Sequence, residues 1–241
     1  MPICCDPENK SFTLTTQDTM YQMQIGPVGH LLHLYYGPKT DCCFDYLQPD
    51  RDCGFSPNPY DWQQGRGWSL DTKAQEYSSA HTGDYRVSSL RLKTDAGICG
   101  TDLRYVSHTI REEKYQIPGM PSAFDKTGSA CSLAITLKDA ATGVQVELLY
   151  GVFEAENVIT RAVRVINAGD SVVMLEQAAS ACLDIPFGSW QLIHFHGRHT
   201  MERMPERRDL IQGIQTVSST RGATSHQHNP FVILCQPETT E

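Results

Sequence analysis

The sequence lacks the motifs and composition of several large functional classes. Its 241 residues contain no Walker loop, no G-x-G-x-x-G, no G-x-S-x-G and no Cys-x-x-Cys pair, so the common nucleotide, serine-hydrolase and thiol-redox patterns are absent. The net charge is −8 and no basic run is longer than Arg207-Arg208, which excludes an extended nucleic-acid-binding surface. No window approaches the roughly 18 apolar residues of a membrane helix. The segment Met1–Pro7 does not have the pattern of a signal peptide, because no apolar stretch follows a positive region.

Cysteine is present, but not in the pattern of a disulfide framework. The number of cysteines, nine, is odd, and Cys4-Cys5 and Cys42-Cys43 are adjacent pairs. Neighbouring cysteines bond each other only with severe strain. We therefore expect reduced thiols and a cytoplasmic location.

The dominant pattern in the sequence is that of β-strands. Apolar residues alternate with small or polar ones over 133–137 and again over 144–148, and Asp139 to Gly143 supplies a turn between the two runs. Residues 131–152 are therefore predicted to form a β-hairpin. The same texture predicts strands over 11–16, 20–25, 30–36, 84–94, 102–114, 157–167, 171–182, 190–196, 211–219 and 230–235.

This succession of short strands and close turns predicts an all-β fold. Because no segment keeps a 3.6-residue period, we expect one large, mostly antiparallel β-sandwich domain over residues 1–241, with few and short helices. Residues 37–83 depart from the strand texture, since they are rich in Asp, Pro, Gly and aromatic residues. A loop of that length within a compact domain is usually functional or an interface arm.

Two groups of side chains suggest binding sites. His194 and His196 would share one face of a strand and could bind zinc, with His226, His228 or an aspartate as the third ligand. A His-x-His pair alone does not define a metal site, and imidazoles at strand ends also serve as hydrogen-bond donors. In the long loop, the aromatic rings of Tyr60, Trp62 and Trp68 could stack on a sugar, or the loop could pack as a proline-stiffened arm on its own domain or on a partner. We expect no cofactor and no metal, and keep an autonomous carbohydrate-binding β-sandwich module as an alternative function.

The stretch from Ser219 to Phe231 is dense in polar side chains but contains no carboxylate. Its Arg221-Gly222 and Asn229-Pro230 steps predict a shaped turn that leads into a strand.

With this stretch included, the chain resembles the N-terminal β-sandwich domain of family 36 glycoside hydrolases, the bacterial α-galactosidases. The Arg-Gly-x-x-Ser-His-Gln-x-Asn-Pro-Phe run that begins at Arg221 is the most distinctive segment. One departure is that the family's Gly-x-Trp before the Glu202-Arg203 pair reads Gly197-Arg198-His199 here, which changes an aromatic contact. The other matching segments follow the family's order along nearly the whole chain: His33–Gly37, Phe55–Pro59, Ser69–Asp71, Gln75–Tyr77, Gly83–Arg86, Asp102–Tyr105, His108, Gly119–Pro121 and Asn157–Arg161.

The resemblance implies a β-supersandwich that belongs to a retaining α-galactosidase. In the family, a TIM barrel follows this domain and carries two aspartates, of which one attacks the anomeric carbon and the other protonates the leaving oxygen. The chain is then expected to be a fragment that ends inside the sandwich, before the barrel, to contain no catalytic residue and to be inactive alone. Its parent would release terminal α-galactose from oligosaccharides such as melibiose and raffinose.

The resemblance also implies two substrate-binding residues, Asp52 and Arg66. The family tends to form tetramers in which the long loop of one subunit reaches toward a neighbour's active site. By this resemblance Asp52, the acid before Phe-Ser-Pro-Asn-Pro, and Arg66, three residues before Ser-Leu-Asp, contact sugar hydroxyls at the rim of that pocket. The alternative is an interface salt bridge without sugar contact. The expected partners are an α-galactoside and further copies of the protein, with no nucleic acid and no membrane.

Overall fold

The computed structural model describes residues 2–48, 68–185, 188–221 and 227–239. The prediction of an all-β fold is confirmed, since the helical segments of these ranges are short 3-10 turns at Asp45–Leu47 and Leu70–Thr72. None of the helices in these ranges has the length and hydrophobicity needed to cross a membrane. The strands are β1 Ile3–Asp6, β2 Ser11–Thr15, β3 Thr19–Ile25, β4 Leu31–Pro38, β5 Leu90–Thr94, β6 Leu103–Arg111, β7 Cys131–Asp139, β8 Val144–Phe153, β9 Val158–Asn167, β10 Val173–Ala178, β11 Gln191–Arg198, β12 Met201–Asp209 and β13 His228–Cys235.

The chain divides into two compact units, Met1–Asp184 and Ile185–Glu241. In the first unit the strand orders are β1-β2-β3-β4, β6-β7-β8-β9 and β10-β5, and the named strands pair antiparallel throughout. The second unit is built on a three-stranded antiparallel sheet of order β12-β11-β13.

The predicted hairpin at 131–152 is confirmed as the β7–β8 pair. Its register places Leu133 opposite Tyr150, Ile135 opposite Leu148 and Leu137 opposite Val146, so the apolar phase of both strands points to one side. The side chains in this phase are at most 1% exposed. They form the core of the first unit together with buried residues of β2, β3 and β5, such as Phe12, Leu14, Met23, Leu90 and Leu92.

The prediction of a strand at 211–219 is wrong, and β12 lies at Met201–Asp209 instead. The sequence of β12 is polar on both faces and contains Pro205, which argues against a central strand. β12 is an edge strand paired only to β11 in the described sheet, and an edge strand tolerates a proline because one side of its backbone needs no ladder partner. The predicted strand at 84–94 is similarly shortened to β5, Leu90–Thr94.

The long predicted loop at 37–83 is not open throughout. Leu32 forms a bridge with Gln75, and Trp68, Ser69 and Glu76 are each at most 3% exposed. The C-terminal part of this segment therefore packs into its own unit, as the second interpretation of the loop predicted.

Candidate functional site

The two predicted substrate-binding residues, Asp52 and Arg66, lie outside the described residues, as do Tyr60 and Trp62. The structure instead defines the two residues that flank this part of the chain, Gln48 and Trp68. The candidate site is therefore built from the contacts of Gln48 and Trp68.

The ammonium group of Lys73 contacts both of these flanking residues. Lys73 is only 1% exposed. Its Nζ donates a hydrogen bond of 2.9 Å to the carbonyl oxygen of Gln48 and lies 4.9 Å from the centroid of the Trp68 ring. Gln48 is held in addition through its side-chain amide, which donates to the carbonyl of His33 and accepts from the N–H of Ala74 at 3.3 Å. The two flanking residues thus meet at one buried cation.

The backbone of Lys73 is fixed from the other side by Arg86. The Nη2 of Arg86 donates to the carbonyl oxygen of Lys73 at 2.6 Å, and its Nε lies 2.7 Å from Asp84 Oδ2. Asp184 binds Nη1 of the same guanidinium. Burial alone lowers the pKa of Arg86, but Asp184 and Asp84 outweigh it and raise the value, so that Arg86 stays charged.

Trp68 does not fit the role of an open stacking platform. It is 3% exposed, and a Cβ placed on Gly26 would lie 3.1 Å from its ring. A ring packed this closely against the backbone has no free face for a sugar. Of the three aromatic residues proposed for a sugar platform, the one that the structure describes is part of the packed interior.

A second polar cluster, which the sequence reasoning missed, surrounds the fully buried carboxylate of Glu76. Its oxygens accept hydrogen bonds from the hydroxyls of Tyr21 at 2.7 Å and Tyr150 at 2.6 Å, and Arg161 Nη2 lies 2.7 Å away. His33 Nδ1 is 3.4 Å from the carboxylate but not in hydrogen-bonding geometry. The carboxylate is thus neutralised by one guanidinium and satisfied by two phenols, as a buried charge requires.

The tyrosine hydroxyls of this cluster stay protonated, as donation of hydrogen bonds to Glu76 requires. Burial, and next the charge of Glu76, hold the pKa of both Tyr21 and Tyr150 well above the ordinary value. Burial similarly raises the pKa of the neighbouring Tyr77 to about 12. These phenols therefore remain hydrogen-bond donors at any physiological pH. In the sequence, Tyr150 continues the apolar alternation of Val146 and Leu148, which predicts a buried tyrosine whose hydroxyl needs a partner. The register of the sheet then places Arg161 directly opposite Tyr150.

Histidines gather in the second unit as the sequence predicted, but not as a metal centre. The ring of His194 lies 6.0 Å from that of His196 and 5.8 Å from that of His228. His194 Nε2 is 3.4 Å from Glu206 Oε2, yet neither ring nitrogen of His194 makes a hydrogen bond with the described residues. Over those residues, no three His, Cys, Asp or Glu side chains are placed to hold a metal ion, and His226 lies outside them. The zinc hypothesis therefore gains no support from the described part of the chain.

Among the described residues of the first unit, three carboxylates have a lowered pKa. Backbone N–H groups lower the pKa of Asp6 and Asp125. At Asp102 burial alone raises the pKa, but hydrogen bonds with His30 and Arg104 outweigh it and lower the value. A general acid needs a raised pKa, so these three residues do not fit that role.

Comparison with known proteins identifies the family to which the chain belongs. Residues 29–241 match the family model of the glycosyl hydrolase family 36 N-terminal domain. The chain belongs to glycoside hydrolase family 36. The resemblance drawn from the short motifs is thereby confirmed, and so is the β-sandwich fold class.

Curated relatives in family 36 are much longer than the chain. The bifunctional alpha-galactosidase/sucrose kinase AgaSK of Mediterraneibacter gnavus is 46% identical over 241 residues, which is 100% of this chain and 26% of the relative. Alpha-galactosidase AgaA of Geobacillus stearothermophilus is 37% identical over 236 residues, which is 97% of this chain and 32% of the relative. The chain thus spans between a quarter and a third of the length of these relatives.

Solved structures of family 36 have the same fold. The galactosidase domain of AgaSK superimposes with a TM-score of 0.94 at 46% identity, covering 99% of this chain and 33% of that one. A substituted AgaA of Geobacillus stearothermophilus, solved in complex with raffinose, superimposes with a TM-score of 0.90 at 37% identity, over 95% of this chain and 32% of that one.

Three of the family 36 motifs found in the sequence contribute residues to the buried polar clusters of the first unit. The Gln75–Tyr77 motif contains Glu76, the Gly83–Arg86 motif contains the guanidinium that holds Lys73, and the Asn157–Arg161 motif contains the counterion of Glu76. In this chain these motifs therefore fix the packing of the sheets and the base of the long loop.

Proposed function

We propose that the chain is a non-catalytic N-terminal part of a longer α-galactosidase, which removes terminal α-galactose from oligosaccharides such as melibiose and raffinose. The observation that carries this proposal is the 46% identity with AgaSK, which extends over the whole chain but over only 26% of that relative. A structure of a relative in complex with raffinose supports the class of substrate. Catalysis by two aspartates with a galactosyl-enzyme intermediate would then be performed by a part of the protein that this chain does not contain.

The purified 241-residue chain is expected to hydrolyse no nitrophenyl α-galactoside, whereas the full-length protein releases nitrophenol. The reason is that none of the clusters described above pairs a nucleophile with a general acid. Absorbance of nitrophenol over time measures both rates. Turnover by the chain alone, abolished by replacement of one of its carboxylates, would refute the proposal.

We further propose that Asp52 and Arg66 contact sugar hydroxyls at the rim of an active site, in an oligomer of the full-length protein. Their chemistry supports this, because a carboxylate and a guanidinium give directional hydrogen bonds to hydroxyl groups without needing a perturbed pKa. The described cysteines are free, which supports the expected cytoplasmic location.

Asp52→Ala in the full-length enzyme is expected to raise KM for raffinose by about tenfold, the factor that corresponds to one lost hydrogen bond to a charged group, with kcat largely kept. Steady-state kinetics measure both constants. Asp95→Ala, at an exposed aspartate of the first unit, is the control and should change neither constant. An unchanged KM for Asp52→Ala, together with a weaker oligomer in size-exclusion chromatography, would assign Asp52 to the interface instead.

A further inference from the structure

The connection between β6 and β7 is longer than its topology requires. The two strands are antiparallel neighbours in one sheet, and a hairpin of this kind can be closed by about two to five residues. Residues 112–130 nevertheless lie between Arg111, the last residue of β6, and Cys131, the first of β7. We call this segment the β6–β7 loop. A connection longer than about 12–15 residues without secondary structure of its own is usually functional, so the loop is a candidate for a binding site.

The β6–β7 loop is ordered by its own hydrogen bonds. The N–H of Met120 donates to the carbonyl of Ile117 at 3.1 Å, and Gly119 between them has a φ of 75°, as the third residue of a type II turn requires. The carboxylate of Asp125 accepts hydrogen bonds of 3.0, 2.9 and 2.8 Å from the backbone N–H groups of Thr127, Gly128 and Ala130. The loop therefore presents its other side chains from a defined backbone, which lowers the entropy cost of binding a ligand.

The loop surrounds a cavity of about 250 Å³. Glu112, Gln116 and Ser122 line this cavity and are exposed. With the described residues, none of these three side chains forms a hydrogen bond or an ion pair, so their polar atoms are available to a ligand. The volume lies just below the range of about 300–1,000 Å³ that is typical of small-molecule sites, which favours a ligand with a single ring.

An exposed aromatic ring completes the lining of the cavity. Phe124 is 79% exposed. A phenyl ring exposed to this extent contributes little to the core, but it offers a flat apolar face to a ligand.

The charges around the cavity favour a neutral ligand over an anion. Glu112, Glu113 and Asp125 are all part of the lining. The ammonium of Lys114, which also lines the cavity, already donates to the carbonyl of Tyr115 at 2.9 Å and lies over the ring of the same residue. Phosphate or a carboxylate ligand would therefore meet mainly like charge.

We propose that the β6–β7 loop is a sugar-binding site, in which one hexose stacks on Phe124 and its hydroxyls hydrogen-bond with Glu112 and Gln116. The apolar C–H face of a hexose matches the phenyl ring, and carboxylate, amide and hydroxyl side chains can all bind sugar hydroxyls. The choice of galactose as the hexose rests on the proposed function, whereas the site itself rests on the geometry of the loop.

The test measures galactose binding to the 241-residue chain by saturation-transfer NMR over a titration. Phe124→Ala is expected to raise the dissociation constant by about tenfold, at the upper end for a lost aromatic contact. Met120→Ala is the matched control, because Met120 is a 64% exposed apolar residue of the same loop that does not line the cavity, and it should change nothing. No binding by the folded wild-type chain, or equal binding by wild type and Phe124→Ala, would overturn the proposal.

Glu112→Gln provides a second variant, which keeps the size of the side chain but removes its charge. It is expected to weaken galactose binding several-fold, since hydrogen bonds to charged groups are the stronger ones. If the isolated chain does not fold, Phe124→Ala and Met120→Ala are compared in the full-length protein, where an equal saturation-transfer signal from both would count against the site.

Two further outcomes separate this proposal from its rivals. Binding that depends on Phe124, together with a full-length protein that does not hydrolyse nitrophenyl α-galactoside, would support the sugar site and refute the proposed function. Binding of an arginine-containing peptide by a wild-type chain that does not bind galactose would assign the cavity to a basic side chain and overturn the proposal.

Discussion

Arg161→Met is expected to lower the free energy of unfolding by about 3–5 kcal/mol, because it leaves the Glu76 carboxylate buried without its counterion. Glu76 has no exposed surface, and the guanidinium lies 2.7 Å from it. The phenols of Tyr21 and Tyr150 would still donate hydrogen bonds but could not neutralise the charge. Urea denaturation followed by circular dichroism measures the change as a shift in midpoint.

Arg164→Met is the control on the same strand. The guanidinium of Arg164 lies 2.9 Å from Glu147, but its side chain is 53% exposed. An exposed ion pair contributes at most about 1 kcal/mol. Equal effects of the two substitutions would mean that the Glu76 cluster contributes no more than a surface pair.

The double variant Glu76→Gln/Arg161→Met separates the charge from the packing. Since it removes both members of the buried pair, it should be less destabilised than the sum of the two single variants. Additive losses would contradict this prediction, because they would show that the two side chains act independently despite their separation of 2.7 Å.

Gly169→Ala is expected to destabilise the protein by about 3 kcal/mol, at the upper end of the range for overpacking. A Cβ at this position would lie 2.0 Å from the carbonyl oxygen of Thr142, so one backbone turn would have to move away from the other. Gly143 faces the same contact, because its own Cβ would lie 2.7 Å from the Cα of Gly169. Thermal and urea denaturation would both detect the loss.

Gly100→Ala provides the comparison for this prediction. The nearest atom to a Cβ there is 3.5 Å away, which is ordinary van der Waals contact. Its effect should stay within about 0.5 kcal/mol in either direction. A similarly small effect at Gly169 would show that the β7–β8 turn can shift to accommodate a methyl group.

The parts of the fold that the sequence predicted are those where one face of a strand is buried. In β7 and β8 every second residue is apolar and buried, so the sequence predicts both the hairpin and which side chains of each strand face the core. β12 carries no such alternation, because almost all of its residues are exposed and its edge position tolerates Pro205. No local pattern could have placed it.

The candidate site was less predictable than the fold, for a different reason. Glu76 and Arg161 are far apart in the sequence and meet only because β8, β9 and the segment after Trp68 pack together. Lys73 looks in the sequence like an ordinary surface lysine, and only the structure shows that it is buried. The family motifs include Glu76 and Arg161, but their spacing in the sequence does not show that the two side chains form an ion pair.

The strand order of the first unit also determines when each strand can find its partner during synthesis. Sheets β1-β2-β3-β4 and β6-β7-β8-β9 pair strands that follow one another, so each hairpin can form soon after it leaves the ribosome. Strand β5 differs, because its partner in the sheet is β10, Val173–Ala178. Protein synthesis adds about 5–20 residues per second, so several seconds pass between the synthesis of Leu90–Thr94 and that of its partner strand. Leu90 and Leu92, which are at most 1% exposed in the folded unit, therefore reach their antiparallel partner later than the apolar residues of the neighbouring hairpins.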